Sequence, residues 1–158
     1  MISAFFEYNK SKVIQALRYH FISRREIKLM MILVNLFAIL SATLFYFKKI
    51  SPIAFLIGSM LWFVLMILFW FLLPQIIYKK SKTFSDQFRV IVEDEFFMIE
   101  HKSASKRYQW RDFAYWTMSP HFFHLYFNPT SFFLIPKDAF EGELQNEAKK
   151  IFSKKIRS

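Results

Sequence analysis

His121 and His124 stand three residues apart and His101 directly follows Glu100, so a metal site would have to start from these side chains. In a strand an odd separation sends two side chains to opposite faces, which defeats shared ligation. The residues around His124 read as a strand over 122–127, which places the histidines at the surface or at a sheet edge. With no cysteine in the chain and no tight carboxylate cluster, further ligands are lacking. Asp112 sits beside Trp110 without a His or Lys at a recognisable spacing, and a turn or capping role suits it better than catalysis. Glu93-Asp94-Glu95 reads as an acidic hairpin turn, and Lys137 as an exposed residue at the end of a strand. No catalytic residue, metal or cofactor is expected, and the chain reads as non-enzymatic.

Composition points the same way. Of 158 residues, 54% are hydrophobic and 22 are Phe, which is too apolar for a disordered or ordinary soluble chain. Two glycines leave no room for a Gly-rich phosphate-binding loop, and zero cysteines remove disulfides, thiolate metal sites and a Cys nucleophile.

The apolar excess is concentrated in two uncharged runs, residues 29–47 and 50–78. As helices, the first would span roughly 28 Å and the stretch 53–73 about 31 Å, close to the hydrocarbon thickness of a bilayer. Ser51 and Pro52 suit the cap and first position of a helix, and Pro74 marks a kink or exit. Only Lys48 and Lys49 with their neighbours separate the runs, so the reading is a transmembrane hairpin, 29–47 and 52–74, within residues 29–78. Ten Lys or Arg flank its outer ends (10, 12, 18, 24, 25, 28, 79, 80, 82, 89) against two in the loop, which sets both termini in the cytoplasm of a two-pass inner-membrane protein. The charged residues 1–28 before the first run favour an uncleaved hairpin over a signal peptide.

Counted from the loop, Ser41 and Ala42 fall at the depth of Gly58 and Ser59, and small residues let membrane helices pack closely. Asn35 is the one amide well inside a span and suits an interhelical hydrogen bond, or a contact to another subunit. Trp62 lies too deep for an interfacial belt and marks a protein-facing site. These six residues are the candidates for packing or for a protein partner or second copy in the membrane. Residues 1–28 form a basic N-terminal segment whose stretch 9–28 has Val13, Ile14, Leu17, Phe21 and Ile22 at helical spacing. Its apolar stripe would rest on the membrane surface or on the C-terminal domain, and the sequence leaves that choice open. His20 reads as an interfacial ring.

From residue 79 to 158 the pattern changes to about six short strands, near 88–92, 96–100, 106–110, 113–118, 122–127 and 132–135. A helix from Asp138 to Arg157 follows, with Phe140, Leu144, Ala148, Ile151 and Phe152 as its stripe and Asp138 and Glu141 as a capping box. The fold class is therefore membrane α+β: a two-helix hairpin, then a small antiparallel sheet or half-barrel plugged by a terminal helix.

The order of two apolar helices, Leu73-Pro74, Gln109-Trp110-Arg111-Asp112-Phe113 and Phe133-Leu134-Ile135-Pro136-Lys137 before a terminal helix resembles the YcxB-like family of bacterial membrane proteins. That resemblance implies a pleckstrin-homology-like (PH-like) cytoplasmic part. In lipid-binding domains of that type an early hairpin holds phosphate, which by resemblance makes Lys102, Lys106, Arg107 and Arg111 candidates for a headgroup site. The net charge of +10 otherwise belongs largely to residues flanking the spans, so nucleic acid is not an expected partner. The expected function is an inner-membrane scaffold or accessory subunit presenting a PH-like interaction module. The alternative is a sensor of anionic lipid.

Overall fold

The computed structural model describes residues 1–102 and 104–156. The chain divides into two compact units: residues 1–16 with 82–158, and residues 17–81. This departs from the expected boundaries at 28 and 78, because the first sixteen residues join the C-terminal domain.

The unit of residues 17–81 is helical. It takes the last part of α1 (Lys10–Ser23) and continues, after an extended Arg24, with α2 (Arg25–Tyr46). The expected single helical stretch 9–28 is thus broken at Arg24. The second long helix runs from Pro52 to Lys80 as α3 (Pro52–Ile67), a π-helical turn at Leu68–Leu72, and α4 (Leu73–Lys80). Ser51 caps it, its side chain accepting the Ala54 N–H at 3.2 Å, with Pro52 in the first turn. The π turn has a local cause. Pro74 brings no N–H to the Trp70 carbonyl four residues back, and its ring crowds that carbonyl. Both long helices, 22 and 29 residues, are long and apolar enough to cross a membrane, and their most apolar stretches bury no residue in the fold.

The connection between α2 and α3 closes as a Schellman turn: Lys49 N–H donates to Leu44 C=O at 2.8 Å and Lys48 N–H to Phe45 C=O at 2.9 Å. Lys48 takes the left-handed position, with φ 54°, that glycine usually fills. Below the turn Phe45 and Phe55 stack across the two helices with centroids 4.5 Å apart.

The other unit carries two antiparallel three-stranded meanders. One joins β1 (Phe88–Val92), β2 (Phe96–His101) and β3 (Ala104–Gln109); the other joins β4 (Tyr115–Met118), β5 (Phe122–Asn128) and β6 (Ser131–Pro136). All six expected strands are present, as two sheets. Alternation along β1 buries Val90 and Val92, while β2 buries Phe97 and Ile99. In the β2–β3 hairpin, where the sequence carries no glycine, Ser103 lies outside the described residues.

The N-terminal residues cover the free edge of β1. Ser3 N–H donates to Val90 C=O, Phe6 N–H to Phe88 C=O, Phe88 N–H to Phe6 C=O and Val92 N–H to Met1 C=O, all between 2.7 and 3.1 Å. Covering an edge in this way removes a template for unwanted pairing. The Tyr8 ring contacts Phe6, Phe84, Phe88 and Phe122, and its hydroxyl donates to Leu134 C=O at 2.7 Å. Burial raises the Tyr8 pKa far above the usual phenol range, so the group is a neutral donor.

The terminal helix α5 (Leu144–Lys155) starts later than its sequence suggests. A short 3-10 turn at Lys137–Ala139 and a left-handed Gly142, φ 53°, intervene. Asp138 is not a cap; it accepts the Lys12 ammonium at 2.7 Å. The expected end of the helix at Arg157 lies outside the described residues. Phe152 is fully buried and has ring contacts with Trp110, in the turn after β3, and with Trp116 and Phe123 of the second meander, at 6.2, 6.0 and 5.4 Å, so α5 packs against that meander and the turn.

Candidate functional site

Two places gather the residues singled out by type and spacing, one in each unit. In the helical unit, α2 and α3 pack through small side chains. A Cβ on Gly58 would sit 3.6 Å from Ser41 Oγ, so these two face each other closely. Ser59 is half-buried and Ala42 exposed. Asn35 and Trp62 are a pair: the indole N–H donates to Asn35 Oδ1 at 3.3 Å, while Asn35 Nδ2 donates to Met31 C=O of its own helix at 2.7 Å. The bond spans the two helices and satisfies two polar groups that lipid would leave bare. Beside them lies a groove of about 770 Å³ lined by Val34, Ala38, Ser41, Gly58, Ser59 and Trp62 among other apolar residues.

In the sheet unit the four basic candidates separate. Strand β3 is an edge strand, and neighbours on it point to opposite faces. Lys106 lies over the Tyr108 ring, 5.0 Å from its centroid, on one face. Arg107 lies over Phe96, 3.6 Å from its centroid, on the other. Lys102 is exposed in the β2–β3 turn. Arg111 follows in the 3-10 turn Trp110–Asp112, and there it lines a hollow of about 820 Å³ with Arg107, Gln109, Trp110, Asp112, Glu95 and Phe96. Two of the four, Arg107 and Arg111, therefore share a surface; Lys102 and Lys106 are not among the residues lining it.

The residues weighed for chemistry have structural partners. Asp112 and Gln109 form a reciprocal capping box around the 3-10 turn, the carboxylate accepting Gln109 N–H at 2.8 Å. The Trp110 indole N–H is shared between Glu93 C=O and Asp94 C=O, both at 3.1 Å, and Lys155 donates to Asp94 C=O at 2.8 Å. The acidic hairpin turn is thus tied to the end of β3 and to α5. Lys137 donates its backbone N–H to His121 C=O, and its ammonium lies 5.7 Å from the Phe123 centroid. Partial burial, reinforced by Lys149, lowers the Lys137 pKa.

His124 departs from the surface position expected of it. It is fully buried in β5, where five consecutive residues from Phe122 to Tyr126 are buried, and its Nε2 lies 2.8 Å from Ser119 Oγ. The strand is covered on both faces, so alternation no longer separates inside from outside. His121, just before the strand, is exposed. Among the described residues no three His, Asp or Glu side chains gather as a metal-binding group. His20 is buried too, and burial followed by the charge of Arg24 lowers its pKa to about 4. The sequence also gave no sign of the contact between Arg18 and the Trp70 carbonyl, which only the fold brings together.

Comparison with curated proteins gives no match. Comparison with solved structures gives none either. Residues 92–152, from the last residue of β1 into α5, match the model of the YcxB-like protein family, the same family that the Trp110-Arg111-Asp112 and Ile135-Pro136-Lys137 segments resemble.

Proposed function

We propose that this chain is a two-pass inner-membrane protein that presents a cytoplasmic PH-like interaction module and acts, without catalysis, as a scaffold or accessory subunit of a membrane complex. The observation that carries this reading is the exposure of large apolar side chains around both long helices, Leu36, Phe37 and Ile39 on one and Ile53, Met60 and Phe63 on the other. In water a surface of that extent would drive aggregation; in a bilayer it meets its solvent. The concentration of Lys and Arg outside the hairpin supports cytoplasmic termini. The two meanders closed by a terminal helix, together with the YcxB-like match, support the PH-like module.

The absence of native cysteine makes the test direct. Single cysteines are placed at Lys49 and at Ser153 in the full chain, and intact cells are labelled with a membrane-impermeant maleimide. Labelling at 49 alone, with the protein retained in carbonate-washed membranes, is the expected result. Labelling at 153, or release by carbonate, would overturn the anchoring. Crosslinking in native membranes that yields only a single chain would overturn the role in a complex.

A second reading, recognition of a lipid headgroup, is favoured by one observation: Arg107 and Arg111 line the same hollow.

A further inference from the structure

That hollow has an unusual charge arrangement. Arg107 and Arg111 line it together with the carboxylates of Glu95 and Asp112. Among the described residues neither arginine is within 4.0 Å of a carboxylate oxygen, so opposite charges border one space without closing on each other. Other charges in the same unit do close: Arg89 pairs with Glu100 and Lys12 with Asp138. Position is imposed from below. Phe96 carries the Arg107 guanidinium on its ring, and the capping box fixes the turn that presents Arg111 and Asp112. Gln109 adds an amide on the same surface.

We propose that this hollow binds a dipolar headgroup carrying both a phosphate and a primary ammonium, with an ethanolamine phospholipid as its membrane source. The guanidinium forks of Arg107 and Arg111 suit phosphate oxygens. Glu95 and Asp112 suit an ammonium that still has N–H groups to donate. A trimethylammonium lacks those donors, and a headgroup with phosphate alone would leave the carboxylates facing an anion. The choice of a lipid rather than a soluble ligand rests on the membrane anchoring proposed above, since a module tethered to a bilayer meets headgroups at high effective concentration.

The test uses the full chain in neutral detergent micelles, titrated by calorimetry with dihexanoyl phosphatidylethanolamine, phosphatidylcholine and phosphatidylglycerol, and separately with free phosphoethanolamine. The ethanolamine lipid should bind about tenfold or more tightly than the other two, the loss of one charged hydrogen-bond set being of that order. R107Q/R111Q should abolish binding, and E95Q should abolish the preference over phosphatidylglycerol. Equal affinity for all three lipids, or undiminished binding by folded R107Q/R111Q, would overturn the site. Binding of phosphoethanolamine but not of the lipid would overturn the membrane source. A chain that leaves carbonate-washed membranes yet binds phosphoethanolamine would sink the anchoring and spare the hollow, so the two readings fail separately.

Discussion

Arg18 donates its Nε–H to the backbone carbonyl of Trp70 at 2.9 Å, and its guanidinium lies 5.4 Å from the centroids of both the Trp70 and Phe71 rings. The carbonyl is available because the residue four positions on is Pro74, which has no N–H to offer it. A side chain from α1 thereby replaces a missing rung in the second long helix. Pro74 stands out in the sequence as a kink or exit and Arg18 only as one flanking charge; the fold links them through the Trp70 carbonyl.

Arg18→Met should destabilise the helical unit by about 1–2 kcal/mol, the range for a hydrogen bond to a charged donor with a modest cation–π contribution. Pro74→Ala restores an N–H to the Trp70 carbonyl, so the effect of Arg18→Met in that background should shrink by about 1 kcal/mol. Thermal unfolding of the four proteins in detergent measures the cycle. Additive effects would show that Arg18 serves Trp70 in no special way.

Lys48 occupies the left-handed position of the Schellman turn with φ 54°, where an L side chain is strained by about 1–2 kcal/mol. Lys48→Gly relieves that strain and adds chain entropy to the unfolded state, leaving a net gain of about 0.5–1 kcal/mol. A higher melting temperature in the same detergent is the expected outcome. An unchanged or lower one would mean that the lysine side chain makes a compensating interaction.

The legibility of this fold follows the range of its contacts. The strands were readable because Val90, Val92, Phe97 and Ile99 alternate with more exposed neighbours, a signal confined to a few adjacent residues. The edge pairing of residues 1–6 was not readable, since Ile2 and Phe6 find their partners in β1, more than eighty positions away. Asp138 and Glu141 imitate a helix start because the spacing is right. The distant Lys12 claims Asp138, and the left-handed Gly142 delays the helix to Leu144. At the hollow, four nearby basic residues suggested one site, yet strand parity puts Lys106 and Arg107 on opposite faces. The carboxylates that complete the surface, Glu95 and Asp112, have only the signature of turn residues in the sequence.

Asn35 and Trp62 were each noticeable alone, and the structure joins them by a 3.3 Å hydrogen bond. Trp62→Phe removes the donor while keeping an aromatic ring, and Asn35→Ala removes the acceptor. Each single change should lower stability, with a coupling of about 0.5–1 kcal/mol, the usual worth of an interhelical bond in lipid. A coupling indistinguishable from zero would leave the pair as two independent packing residues.

Phe152 ties α5 to the second meander through Trp116 and Phe123 and to the turn after β3 through Trp110. Phe152→Ala should destabilise the sheet unit by about 3–5 kcal/mol, while Phe152→Leu should lose markedly less because it refills part of the space. Protease sensitivity of the full chain in micelles reads this out: cleavage should accelerate within residues 82–158 for the alanine variant. Equal resistance of both variants would remove α5 from the core.

The buried His20 gives the helical unit a pH dependence with a definite sign. Its pKa is lowered to about 4 in the folded chain by burial and by Arg24, against about 6.5 when unfolded. Between those values the unfolded state binds more protons, so folding stability falls as the pH is lowered through that window. Above about 6.5 the contribution is complete, and below about 4 both states are protonated and the slope from this residue ends. His20→Gln removes the titration while keeping a polar side chain of similar reach. The melting temperature of the wild-type chain should therefore drop more steeply between pH 6.5 and 4 than that of the variant, with parallel behaviour above pH 7. Parallel curves throughout would mean that His20 titrates as a solvated imidazole, and that the environment assigned to it in α1 is wrong.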